Sequence, residues 1–272
     1  MRIAVLSDIH GNLPAFEAAL AHVRRQGVDR LVIAGDLING APDSRACWDL
    51  AQTLDCVILR GNHERYVYDF DSPTAPPLWH SERFAPVRWT VAQFSAEERR
   101  LLAGLPLTYR LPDTPNLLIT HASPQRDNDS VQPYTPEEIL AQFFAEVEER
   151  MIVRGHDHWS MVRLWDGRTV VTAGSVGMTL DEHPTARYVL LEHKGKDWHF
   201  CHHAVPYDVD AVVERFHSSG YLDEAGPMAR LLLREIATAS PHIVPFLRLY
   251  ERWEQQGAIS LAAAVERYFR VF

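Results

Sequence analysis

The stretch Arg2–Asn12 reads RIAVLSDIHGN. Ile3–Leu6 is an uninterrupted apolar run with β-branched members, the pattern of a strand buried on both faces. It passes directly into Asp8 and His10, then into Gly11 and Asn12. Asn12 is a residue type that caps helices, and Leu13–Arg25 places Leu13, Phe16, Ala19, Leu20 and Val23 at helical spacing before Gly27 stops it. The same alternation continues with a strand at Leu31–Ala34, a helix at Asp43–Thr53 and a strand at Val57–Arg60. This βαβαβ rhythm predicts parallel strands with right-handed crossovers.

The passage from apolar run to metal-binding residue type occurs five times. IAVLS leads to Asp8 and His10, LVIAG to Asp36, and VILRG to Asn62 and His63. LLIT leads to His121, and MIVRG to His156, Asp157 and His158. In open α/β sheets the functional crevice lies beyond the carboxyl ends of the parallel strands, so the five motifs are expected to converge on one edge. Carboxylate, imidazole and amide oxygen suit Mn, Fe, Zn, Ni or Co, and thiolate is absent from the set. Asp8, His10, Asp36, Asn62, His121, His156 and His158 are more donors than one ion with an open position requires. The spacing therefore predicts two divalent ions sharing a bridge. Such a pair clamps the attacking and leaving oxygens of phosphoryl transfer and brings the pKa of bound water to about 7. Asp157, flanked on both sides by ligand types, is expected to point away.

Further along, the proline-rich Asp71–Pro77 is a loop, and Glu82–Gly104 reads as two short helices broken near Ser95. Strands are expected at Leu117–Thr120 and Ile152–Arg154, separated by a helix over Pro136–Arg150. Met161–Trp165, Thr169–Ala173, Ala186–Glu192 and Trp198–Ala204 read as an antiparallel meander. From Asp208 the pattern is helical, with Pro227–Ala237 and Val244–Phe272 the clearest stretches. The organisation is a two-sheet α/β unit over residues 1–207 and a C-terminal helical extension over 208–272. His199, Cys201 and His203 alternate on one strand face and read as plain strand. Trp79, His80 and Trp89 are candidates for lining a cleft.

The 272 residues are 46% hydrophobic and 23% charged, which is globular composition, and the formal net charge is −9. That balance argues against long nucleic acids and anionic membranes, which require a basic footprint. No run of about 18 apolar residues would span a bilayer, and the first residues lack the features of a signal peptide. Cys47, Cys56 and Cys201 are widely spaced. Together these features predict a cytoplasmic protein without disulfides.

As a set, Asp8-x-His10, Gly35-Asp36, Gly61-Asn62-His63-Glu64, His121 and Gly155-His156-x-His158 resemble the motifs of the calcineurin-like metallophosphoesterases. Gly174-Ser175-Val176-Gly177 further resembles a turn of the small bacterial and archaeal phosphodiesterase-like branch. The resemblance implies two mixed β-sheets packed as a sandwich and flanked by helices in four layers. It implies one metal on Asp8, His10, Asp36 and His158, and a second on Asp36, Asn62, His121 and His156, with Asp36 bridging. It makes His63 the catalytic, substrate-side residue, Asn62 a substrate contact as well as a ligand, and the reaction an in-line attack by a metal-bridging hydroxide. Arg60 is a further candidate phosphate contact. The protein Ser/Thr phosphatases continue Gly-Asp with x-x-Asp-Arg-Gly, whereas here Asn39 and Gly40 stand at the Asp and Arg positions. That departure removes a bidentate phosphate clamp and argues against phosphoprotein substrates.

The expected function is hydrolysis of a small phosphorylated substrate: a phosphodiester, nucleotide or phosphomonoester. The alternative is a non-catalytic scaffold of the same fold that binds a protein partner through the helical extension. In either case the extension is a candidate homodimer surface.

Overall fold

A computed structural model describes residues 1–112, 114 and 116–272. The chain opens with β1 (Arg2–Leu6), α1 (Leu13–Arg25), β2 (Arg30–Ile33), α2 (Ser44–Gln52), β3 (Cys56–Ile58) and α3 (Asn62–Tyr68). It continues through α4 (Ala85–Val91), α5 (Ala96–Ala103), β4 (Thr108–Arg110), β5 (Leu117–Thr120), α6 (Glu137–Phe143) and β6 (Met151–Arg154). Two hairpins follow: β7 (Ser160–Trp165) with β8 (Arg168–Ala173), and β9 (Thr185–Lys194) with β10 (Asp197–Pro206). The chain closes with α7 (Val209–Ser218), α8 (Tyr221–Glu224), α9 (Gly226–Thr238), α10 (Ile243–Gln256) and α11 (Leu261–Val271).

The strands form two mixed five-stranded sheets, ordered β10-β9-β1-β2-β3 and β4-β5-β6-β8-β7. β1, β2 and β3 are parallel in the first sheet, and β5, β6 and β8 in the second. Alternation along β1 explains its unbroken apolar run. Ile3 and Val5 face the second sheet, where Ile119, Val153 and Val171 complete the inner core. Ala4 and Leu6 face outward to Phe16, Ala19 and Leu20 of α1. On the far side, Leu118, Ile152 and Val170 pack against Leu140 of α6 and against Phe144. The layers are thus helix, sheet, sheet, helix, as the resemblance implied. Asn12 caps α1 by accepting from Ala15 N at 3.2 Å.

Three expectations are corrected. The helix expected over 136–150 stops at Phe143, because Phe144 and Val147 turn into the core before the chain enters β6. The expected single meander is two hairpins in different sheets: β8 joins β6, while β9 joins β1. Gly174, at φ +85, begins the crossing, and a side chain there would strike Ser160 and Arg187. Finally, β4 is an edge strand at a position where none was expected.

Candidate metal centre

The five motifs lie just beyond the carboxyl ends of β1, β2, β3, β5 and β6. Asp8, His10, Asp36, Asn39, His156 and His158 all hold φ between +52 and +72. Left-handed backbone costs a non-glycine residue on the order of 1–3 kcal/mol and persists only where the surroundings over-determine it. Here the neighbouring loops do so. His10 N donates to Asp36 O at 2.9 Å, and Ala41 N donates to His10 O at 2.6 Å. The buried Glu64 carboxylate accepts from Asp36 N (2.9 Å), Leu37 N (2.8 Å) and Gly61 N (2.8 Å). Gly155 has no room for a Cβ, which would collide with Ser7 and Asp8; His156 N thereby comes within 3.0 Å of the Asp8 carboxylate.

The imidazoles are aimed inward. His10 Nδ1 lies 2.8 Å from Asn39 O and His121 Nδ1 lies 2.8 Å from Ala34 O. A carbonyl only accepts, so each Nδ1 carries a proton and each Nε2 faces the interior, the orientation that metal-ligating histidines take. His10 Nε2 is 3.0 Å from His158 Nε2, 3.9 Å from Asp8 Oδ1 and 3.8 Å from Asp36 Oδ2. His158 Nε2 lies 3.5 Å from Asp8 Oδ1. On the other side, His121 Nε2 is 3.3 Å from Asp36 Oδ2 and 3.1 Å from Asn62 Oδ1. Two compact groups of donors result, Asp8/His10/His158 and Asp36/His121/His156, each with its ligand atoms within 4.8 Å of one another. Asp36 also groups with His10 and His63, so it faces both.

The electrostatics call for cations. Asp8 is fully buried and Asp36 is 1% exposed. Among the described residues their only basic neighbours within 4.0 Å are histidines. Buried charge is normally paired or metal-bound. Burial works to raise the Asp8 carboxyl, but the hydrogen bond and charge of His158 bring it down to about 2. Burial opposes charge on His121, yet Asp36 pulls it up to about 10. Burial and the neighbouring His63 press His10 down to about 3, and burial with His121 presses His156 to about 4. Two carboxylates and the imidazoles of His10, His121 and His158, converging at 3.0–3.9 Å, form an oxygen–nitrogen set that fits divalent transition metals, which would displace the proton that Asp36 holds on His121.

All seven expected ligand residues are therefore brought together, with His63 beside them. His63 Nδ1 meets Asn39 through its carbonyl (3.1 Å) and its side-chain amide (2.7 Å), so Asn39 occupies the orienting place that a carboxylate would hold. His63 and His158 are the open side of the cluster, with side chains 25% and 13% exposed. Arg60 does not join it: its guanidinium donates to Ala103 O and lies over Tyr68. Asp157 turns away to Arg154, Ser130 and Val131 N. Trp79 is buried against Tyr66 and Phe84, Trp89 packs on Tyr221, and His203 stacks on Tyr188.

Sequence reading missed the work of Glu64, whose position three residues after Gly61 is the capping-box spacing that would have revealed it. It also missed Ser175, whose hydroxyl donates to Asp8 O and accepts from Met178 N.

The sequence model of the calcineurin-like phosphoesterases matches residues 1–160 of the 272. The chain belongs to the calcineurin-like phosphoesterase family. An uncharacterized protein of Methanocaldococcus jannaschii is 24% identical over 231 residues, spanning 78% of this chain and 90% of that one. The crystal structure of a metallophosphoesterase from Sphaerobacter thermophilus superposes with a TM-score of 0.70 at 23% identity, covering 88% of this chain and 99% of that one. A hypothetical protein from Pyrococcus horikoshii OT3 does so with 0.67 at 19% identity, covering 88% and 98%. At these identities the structural likeness speaks to the fold. Both superpositions extend well past the family match at residue 160, so the phosphoesterase fold shared with them includes strands beyond it.

Proposed function

We propose that this phosphoesterase hydrolyses a small phosphorylated substrate (a phosphodiester, nucleotide or phosphomonoester) at a centre for two divalent cations. One position takes Asp8, His10, Asp36 and His158; the other takes Asp36, Asn62, His121 and His156. The observation that carries this reading is the pair of donor groups meeting at Asp36, with no lysine or arginine on either carboxylate among the described residues. Bound there, the cations would supply Lewis acidity toward the phosphoryl group and an activated water.

The chain's own side chains do the positioning. Asp36 Oδ1 is pinned by His63 N at 2.8 Å, leaving Oδ2 for the interior. Substrate approaches across the exposed edges of His63 and His158. Burial holds His63 below the ordinary histidine value against the pull of Asp36, and its Nδ1 accepts from the Asn39 side-chain amide at 2.7 Å, so the neutral ring carries its proton on Nε2. That Nε2 proton is placed to reach the leaving oxygen of a phosphoester lying beside the ring. Gly40 supplies no guanidinium fork, which suits a small substrate better than a phosphoprotein. Free cysteines at 47, 56 and 201 fit a reducing cytoplasm.

The test is reconstitution of chelator-stripped protein with Mn, Fe, Co, Ni or Zn, followed by elemental analysis and turnover of bis(p-nitrophenyl) phosphate and p-nitrophenyl phosphate. About two ions per chain and strictly metal-dependent release are expected. Asp36→Asn is expected to lose more than about 100-fold in turnover, since disturbing even the partners of metal ligands costs 10–100-fold. Near-zero metal, or an Asp36→Asn protein with parental activity, overturns the proposal in favour of a scaffold.

A further inference from the structure

The loop after Asp36 is held from the C-terminal extension. Tyr221, the first residue of α8, is fully buried and donates its hydroxyl to Gly40 O at 2.8 Å. Gly40, at φ +145, lies against His10 so tightly that a Cβ would come within 2.9 Å of the His10 Cβ. On one side of Gly40, Asn39 O accepts from His10 Nδ1 at 2.8 Å and the Asn39 side-chain amide donates to His63 Nδ1 at 2.7 Å. On the other side, Ala41 N donates to His10 O. One three-residue turn therefore orients both imidazoles, and its central carbonyl is bound by the extension. A second tether sits two residues on, where Arg215 of α7 forks onto Asp43 at 2.5–3.0 Å.

We propose that Tyr221 is a positioning residue for the metal centre: its hydroxyl, through Gly40 O, fixes the Asn39–Ala41 turn that sets the ring orientation of His10 and His63. The inference rests on the reading of His10 and His63 as working residues of that centre. It gives the helical extension a task in the phosphoesterase chemistry, because the extension closes the turn that the sandwich leaves open. The Tyr221 ring itself packs on Phe216 and Trp89, so phenylalanine preserves the packing and deletes only the donor. Gly40 O then loses its partner, and the turn relaxes.

The experiment compares the full chain with Tyr221→Phe, using Tyr268→Phe as control. Tyr268 is also a buried tyrosine of the extension, and its hydroxyl lies 3.1 Å from His242 Nδ1, remote from the turn. Long-range 1H–15N spectra of the histidine rings are read with and without Zn, alongside chelator-competition titrations and kcat and KM. Tyr221→Phe is expected to shift the His10 and His63 ring resonances, to weaken metal affinity about tenfold and to lower kcat with little change in KM. Tyr268→Phe is expected to leave all of these at parental values. Should Tyr221→Phe fail to fold, Arg215→Met, which cuts the neighbouring tether, is expected to move the same two ring resonances. Parental ring resonances in Tyr221→Phe, or in Arg215→Met where that stands in, or equal shifts in the Tyr268 control, overturn the inference. A parent protein that binds no metal instead overturns the functional reading, and the ring resonances still decide the inference.

Discussion

Four backbone N–H groups, from Asp36, Leu37, Ile38 and Gly61, converge on the Glu64 carboxylate. Burial and the charge of Asp36 push that carboxyl up to about 7, so the arrangement is strained electrostatically while complete in hydrogen bonds. Glu64→Gln would turn an amide N–H₂ toward some of those donors. A buried donor left without a partner costs about 1–3 kcal/mol, and that loss in urea-unfolding stability is the expected result. Metal affinity is expected to fall about 10–100-fold with it, because Asp36 loses its backbone anchor. Parental affinity in Glu64→Gln would show that the turn holds without it. At this scale the ligands were legible because their chemistry is written in the residue type and each follows a strand. Their supports were less so: Asn39 holds His10 through its carbonyl, which every residue has, and Gly40 acts by lacking a side chain. Arg60 shows the converse, for a basic residue next to a phosphate motif has its guanidinium committed to a carbonyl and a tyrosine ring.

The corner between α9 and α10 has the same logic at the scale of elements. Glu235 is 5% exposed, and its carboxylate accepts from His242 N (2.6 Å) and Ile243 N (2.7 Å), the first N–H groups of the α10 turn. Burial raises its pKa above the ordinary glutamate value. In the window between those values the native state binds more proton than the unfolded chain, so the contribution to stability is full at lower pH and is lost as pH rises. Glu235→Gln keeps an oxygen for both N–H groups and never ionises. The variant is expected to gain on the parent as pH rises above the ordinary glutamate value, until the native carboxyl ionises, in urea unfolding under chelator. A pH-independent difference would remove Glu235 from the account. Helices and the first three strands were legible because α1 and α2 bury one stripe each and α1 carries its cap, Asn12, in sequence. The split of the hairpins between sheets was not, since β8 and β9 look alike locally and their partners, β6 and β1, are set by the path of the chain at Gly174.

The two sheets make the molecule indivisible along the line that the family motif suggests. β1 carries Asp8, yet its second neighbour is β9, paired from Arg2↔Glu192 to Leu6↔Tyr188. β6 likewise has β8 as its outer partner. A fragment of residues 1–160 would leave both strands with open edges and the inner core uncovered. It is expected to lack a cooperative thermal transition and to bind the dye ANS, although it contains every ligand residue. A cooperative melt with metal bound in that fragment would contradict this. Among the described residues, no helix is long and apolar enough to cross a membrane. The pairing of β1 with β9 also orders events in time. On the ribosome Asp8 and His10 emerge first, but Ser175, which braces Asp8 O, lies 167 residues downstream. The brace on Asp8 can therefore form only after the first sheet's parallel strands and most of the second sheet have been made.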